Sequence, residues 1–108
     1  MTSFDERERA FELMYARDQE MHFKIHARRN RLLGQWAAKK MGLTEAESDA
    51  YAKDVIRADF EEAGDDDVIR KLLGDLTAAG VDVDEAVIRK TLAHKTVEAR
   101  RHFIEAQG

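Results

Sequence analysis

The chain has 108 residues, a formal net charge of −4 at pH 7, and neither cysteine nor proline. Its length is that of one domain, and the lack of cysteine excludes disulfides and thiolate metal sites. No apolar run approaches the roughly twenty residues of a membrane span, and the N-terminus lacks a signal-peptide pattern, so we expect a cytoplasmic protein that is neither inserted nor exported.

The composition and the charge distribution narrow the class further. Ala, Glu, Arg, Lys and Leu dominate, which predicts an all-α fold. Residues 1–42 hold nine Lys or Arg against six Asp or Glu, a balance of +3, whereas residues 43–108 carry −7. A basic N-terminal part therefore precedes an acidic remainder, and the net negative charge argues against nucleic acid as a partner.

The first predicted helix begins near Phe4, where Ser3 and Glu6 form a capping-box pattern, and ends at Gly42. Its apolar residues repeat at helical spacing, which predicts one core-facing side: Phe4, Phe11, Met14, Met21, Ile25, Leu32 and Trp36. Because the stretch from Arg17 to Glu20 is wholly polar, we expect a kink or a break there that divides the helix in two.

Three further helices follow, each with a start and a stop signal. A capping box at Thr44 and Glu47 opens the second, which would close at Gly64; Asp65 or Asp66 caps the third, which Gly80 ends. Asp82 or Asp84 caps the last, which reaches about Ala106. Short connections predict a single small antiparallel four-helix-type bundle over residues 1–108.

A search for catalytic and metal-binding patterns is negative. There is no glycine-rich phosphate loop, and no histidine follows a glutamate at the spacing of di-iron bundles, so we expect neither an enzyme nor a required cofactor. Two sets of three residues with histidines each line one face of a helix. Three ligands on one helix leave the coordination sphere of a metal incomplete, so we expect no metal site. These sets are Asp18, His22, His26 and His94, Glu98, His102. The Asp65 to Asp67 run is interpreted as helix capping.

Two features of the first helix bear on binding. Lys24, Arg28 and Arg31 share one face, with Arg29 beside them, and form a basic stripe. This stripe would bind an anion, a nucleotide or an acidic protein; the alternative is that it pairs with the acidic part of the fold. Gly34 costs about 1 kcal/mol in a helix relative to Ala, which a close helix crossing beside Trp36 would offset.

Residues 1–19 form a predicted mobile or partner-binding segment. Residues 4–18 alternate a few apolar side chains with eight charged ones, and an isolated helix of that length is barely stable in water. The segment must therefore dock on the bundle or gain its order on a partner.

Three blocks of sequence resemble the ζ subunit of alphaproteobacterial F-type ATP synthases. They are F-D-E-R-E-R-A-F-E from Phe4, A-R-R-N-R-L-L-G-Q-W-A-A from Ala27 and A-D-F-E-E-A-G-D from Ala58. The resemblance implies a non-enzymatic inhibitor of ATP hydrolysis that associates peripherally with the membrane-bound synthase, and we expect the free chain to be a monomer. The resemblance also implies that an N-terminal wedge enters an interface of the α/β catalytic head and meets the central stalk.

Carried onto this sequence, the resemblance implies a partner-binding set of Phe4, Arg7, Arg9, Phe11, Met14, Tyr15 and Arg17. It also implies a nucleotide surface, for which Lys24, Arg28 and Arg31 are the candidates, with ATP or ADP as the ligand. Two alternatives stay open: a nucleotide- or metal-responsive helical module with weak or no inhibition, and a member that only associates with the synthase.

Overall fold

A computed structural model describes the backbone of residues 2–60 and 64–107 and the side chains of residues 18–60 and 64–105. The described backbone forms four helices and no strand: α1 (Thr2–Lys40), α2 (Glu45–Ala58), α3 (Asp66–Ala78) and α4 (Glu85–Gln107). They pack into a bundle in which α1 contacts each of the other three helices. The predicted all-α fold is confirmed, and among the described residues no helix is long and apolar enough to cross a membrane.

Helix α1 runs without interruption for 39 residues, so the predicted division between Arg17 and Glu20 is not found. A polar stretch lacks core contacts, but it breaks a helix only where glycine, proline or a competing side chain disturbs the backbone hydrogen bonds. None of the residues from Arg17 to Glu20 is glycine or proline, and Glu20 adds an ion pair one turn on, 3.3 Å from Lys24.

The buried face of α1 is rotated from the predicted one. Met21, Ile25, Leu32 and Trp36 are only half-buried, whereas the fully buried apolar side chains among residues 18–40 of α1 are Leu33, Ala37 and Ala38. These pack with Val55 of α2, with Val68, Ile69, Leu72 and Leu76 of α3, and with Ile88 of α4. Small residues on α1 let the helices approach closely, which leaves the larger side chains at the edge of the core.

The tightest approach is at Gly34. A Cβ atom built there would lie 2.7 Å from the Cα atom of Ala52 and 3.3 Å from a methyl group of Val55. The expected close crossing at Gly34 is therefore confirmed, with α2 as the crossing helix. Trp36 packs at the edge of the same core, partly buried.

Several helix ends follow the predicted signals, but α1 begins at Thr2, so Ser3 lies within the helix and is not its cap. The capping box at Thr44 and Glu47 is present, and Asp84 accepts a hydrogen bond of 2.9 Å from the Val87 amide. Helix α2, however, ends at Ala58 and not at Gly64, so Phe60 lies beyond the helix and is exposed. At this end the Asp59 side chain turns towards α1, where two basic groups face it.

Tyr51 connects α2 to α3. Its hydroxyl donates a hydrogen bond of 2.7 Å to Asp75, and burial together with this carboxylate raises the pKa of Tyr51. Lys71 lies above the Tyr51 ring and pairs with the same carboxylate at 3.1 Å. These partly buried polar contacts link α2 to α3.

We expect Gly34→Ala to lower the free energy of unfolding by about 1 to 2 kcal/mol, because overpacking against the Ala52 backbone outweighs the gain in helix propensity. The matched control is Gly74→Ala in α3, where a Cβ atom would meet nothing within 4 Å. That substitution should raise the free energy of unfolding by about 0.5 to 1 kcal/mol. Urea denaturation of both variants measures the difference, and equal effects would contradict the crossing at Gly34.

Candidate functional site

The predicted partner-binding side chains lie outside the described ones. Phe4, Arg7, Arg9, Phe11, Met14, Tyr15 and Arg17 all fall within α1, whose backbone is helical there. Their assignment as partner contacts stays a prediction. The described side chains of α1 begin with Asp18, Gln19 and Glu20, which are exposed, and full burial begins at Arg29.

The basic stripe is not a row of equivalent free cations. Lys24 pairs with Glu20, Arg31 is exposed beside a cleft formed with Asp49 and Lys53 of α2, and Arg28 is half-buried. The Nε atom of Arg28 is buried without a hydrogen-bond partner. The structure therefore keeps Lys24, Arg28 and Arg31 on one side of α1 but gives each a different environment.

Arg29, which the sequence placed beside this stripe, is buried in the bundle with 2% of its surface exposed. Its Nη1 lies 3.0 Å from Asp65 and its Nη2 lies 3.6 Å from Asp59, while Nε and Nη2 both donate to the side-chain oxygen of Asn30. One guanidinium thus contacts α1, the end of α2 and the start of α3. The open alternative of pairing within the fold holds for Arg29.

This contact changes the interpretation of the aspartate run. Asp65 is the N-cap residue of α3, as expected, but its side chain makes no capping hydrogen bond because it faces Arg29. Asp66 pairs with Arg89 of α4 at 3.2 Å, and Asp67 pairs with Arg70 at 3.1 Å. The run therefore links helices as well as placing negative charge at a helix start.

His26 lies one turn before Arg29 and faces the same carboxylates. Its Nδ1 is 3.7 Å from Oδ2 of Asp59. Burial, with smaller contributions from the positive charge of Arg29 and from His22, lowers the pKa of His26 despite the two nearby aspartates. The lowered pKa favours the neutral imidazole, which has one nitrogen lone pair available.

The structure assembles a ligand set that sequence reasoning missed. Potential ligand atoms of His26, Asp59 and Asp65 lie within 4.8 Å of one another. In the sequence, His26 groups with Asp18 and His22, because the three share a helix face. Those residues do line one open groove with Phe23 and Asp59, but the carboxylates nearest to His26 come from other elements. No spacing in the sequence shows that α2 ends and α3 begins beside His26.

Phe23 lines this groove, and Phe60 lies beside it in an adjoining cleft. Phe23 of α1 and Phe60, just after α2, are 55% and 62% exposed, and their ring centroids are 5.7 Å apart. The second histidine set, His94 and His102 with Glu98, lies on α4 with all three residues exposed. Within that set Glu98 already pairs with Lys95 at 3.2 Å.

We expect Arg29→Met to lower the free energy of unfolding by about 2 kcal/mol or more, because Asp59 and Asp65 lose their buried cation. The control is Arg57→Met, since Arg57 is exposed and pairs with Asp54 at 3.6 Å. Its loss should cost less than about 1 kcal/mol. Thermal denaturation of both variants is the measurement, and similar losses would show that the Arg29 pairs act like surface pairs.

Comparisons with known proteins agree with this fold. The family described as ATPase inhibitor subunit zeta matches residues 1–102, nearly the whole chain. No curated protein sequence matches. One structure determined by solution NMR superposes with a TM-score of 0.71 and 42% sequence identity, covering 80% of this chain and 98% of that chain. A family of inhibitor subunits is one of regulators rather than enzymes, and the chain belongs to the ATPase inhibitor subunit zeta family.

Proposed function

We propose that the protein binds the catalytic head of the F-type ATP synthase and inhibits ATP hydrolysis through the first half of α1. Membership in the inhibitor family supports the target. The observation that carries the proposal is that one helix joins residues 2–19 to the buried part of α1. The inhibitory segment is thus the extension of a helix that the bundle already holds.

The length of α1 suits this role. At about 1.5 Å per residue, Thr2 lies about 40 Å along the helix from Arg29, the first fully buried position described. The whole molecule extends over 65 × 27 × 22 Å, so it is long and narrow. A helix of this reach is suited to enter an interface of the α/β head and to meet the central stalk.

Continuity with the bundle also favours binding energetically. A separate segment of about fifteen residues would have to nucleate its helix on the partner, which lowers affinity. When the same residues extend an existing helix, only propagation is needed. In the proposed interface Phe4, Phe11, Met14 and Tyr15 are apolar anchors, and Arg7, Arg9 and Arg17 are charged contacts.

The proposed mechanism is obstruction. ATP hydrolysis in the synthase drives rotation of the central stalk, and a helix wedged into one catalytic interface would block that rotation. Rotation in the direction of synthesis would release the wedge. No chemistry on the part of the inhibitor is required.

We expect the full chain to lower the ATP hydrolysis rate of its matching synthase head, and a chain lacking residues 1–19 to leave it unchanged. Asp18→Pro in the full chain tests whether helix continuity matters, because proline removes a backbone hydrogen bond and kinks a helix. The concentration giving half-inhibition should rise at least about tenfold, equivalent to about 1.4 kcal/mol.

Asp18→Ala is the matched control, since Asp18 is exposed and alanine maintains the helix. It should inhibit like the unaltered chain. Equal hydrolysis rates with and without the full chain would remove the inhibitor proposal. Equal inhibition by Asp18→Pro and Asp18→Ala would support the inhibitor proposal but contradict the proposal that inhibition needs an unbroken helix.

A second candidate function is binding of ATP or ADP by Lys24, Arg28 and Arg31. The exposed Arg31 and the half-buried Arg28 on the same side of α1 favour it, because guanidinium groups donate strong hydrogen bonds to phosphate oxygens. We expect ATP to shift amide NMR signals of residues 24–31, and Arg28→Gln to weaken the effect. Arg101→Gln, an exposed change on α4, is the control. Amide signals that shift throughout the chain, and not mainly at residues 24–31, would contradict this site.

A further inference from the structure

The junction of α1, α2 and α3 brings an imidazole and two carboxylates from three separate parts of the chain together. His26 comes from the middle of α1, Asp59 caps the end of α2, and Asp65 caps the start of α3. Their ligand atoms lie within 4.8 Å of one another, and all three side chains are partly buried. His26 and Asp59 also line the groove.

His26 and Asp59 face each other without a direct hydrogen bond. Nδ1 and Oδ2 are 3.7 Å apart, which is longer than a hydrogen bond. Two ligands of a tetrahedral zinc ion, each about 2.0 to 2.2 Å from the metal, lie about 3.4 Å apart. The two atoms are about 0.3 Å further apart than such ligands, so a small side-chain adjustment would let both bind one cation.

The two oxygens of Asp59 have different neighbours. Oδ1 faces Arg29 at 3.6 Å, and Oδ2 faces His26. Arg29 also contacts Oδ1 of Asp65 at 3.0 Å. A cation bound by Oδ2 of Asp59 would leave the Arg29 guanidinium in place. There the guanidinium would orient both carboxylates, as groups behind the direct ligands commonly do in metal sites.

We propose that His26, Asp59 and Asp65 form a binding site for a divalent transition-metal ion of the zinc type. Mixed nitrogen and oxygen ligands favour such an ion over magnesium or calcium, which take oxygen ligands. Two carboxylates and one guanidinium have a net charge of −1, which attracts the cation. The proposal departs from the sequence-based expectation of no metal and goes beyond inhibition.

The fourth position has a candidate in His22. Its ring lies one turn before His26, with ring centroids 4.3 Å apart, and it lines the same groove. Histidines at i and i+4 share a helix face, so His22 is positioned to complete the site after a side-chain rotation. Otherwise water takes that position, as in open zinc sites.

Zinc titration of the full chain, followed by calorimetry at neutral pH, tests the site. We expect one ion per chain, and at least about tenfold weaker binding in His26→Asn. His94→Asn is the matched control, since His94 is exposed on α4 with His102 two turns on. It should bind as the unaltered chain does. Saturating zinc should raise the Tm by about 4 °C or more in the unaltered chain and not in His26→Asn.

His26→Asn retains the Arg29 pairs with Asp59 and Asp65, so it should fold, which far-UV circular dichroism checks. Amide NMR of the unaltered chain locates the zinc independently of any variant, with shifts expected around residues 26, 59 and 65. Absence of zinc binding, equal binding by His26→Asn, or shifts centred on His94 and His102 would each overturn the proposal.

Discussion

Arg29 lies almost fully buried in α1, and its guanidinium faces carboxylates at the end of α2 and the start of α3, so three helices meet around one cation. Burying a charge is costly unless it is paired, and removing a partner is more damaging than the pair is stabilising. The interaction therefore acts as a constraint on register. Only an arrangement that places Asp59 and Asp65 beside Arg29 satisfies the guanidinium, and the remaining packing of α1 has to agree with it.

The sequence predicted the helices well because their end signals are local. The capping box at Thr44 and Glu47 and the cap at Asp84 need only the residues beside them. The buried face of α1 was harder to predict, since periodicity follows large apolar residues such as Ile25 and Trp36. The close crossing at Gly34 was predicted, but the structure also buries Ala37 and Ala38 beside it, because their small size permits the approach of the neighbouring helices. Whether the face with large residues or the face with small residues is buried depends on the helix packed against α1. The sequence of α1 alone does not contain that information.

The candidate site was less predictable for the same reason. Arg29 resembles its neighbours Arg28 and Arg31 in sequence, and only its position relative to α2 and α3 makes it buried. Asp65 was recognised as an N-cap residue, but its carboxylate faces a residue 36 positions earlier in the chain. The set of His26, Asp59 and Asp65 likewise depends on tertiary structure. The sequence blocks that resemble the ζ subunit do contain Arg29, Asp59 and Asp65. The resemblance therefore covered these three residues, although the spacing of the residues in the sequence does not reveal their structural role.

The junction also determines how the first half of α1 is presented. Residues 29–38 of α1 are fixed by the core, and a continuous helix transmits that orientation to residues 2–19. Any contact that fixes α1 nearer to its N-terminus shortens the part that is free to bend. His26 lies three residues before Arg29, about 4.5 Å along the helix, and faces the same two carboxylates. An ion held there would extend the fixed part of α1 by about one turn towards the proposed inhibitory segment, without displacing the guanidinium that holds the bundle together.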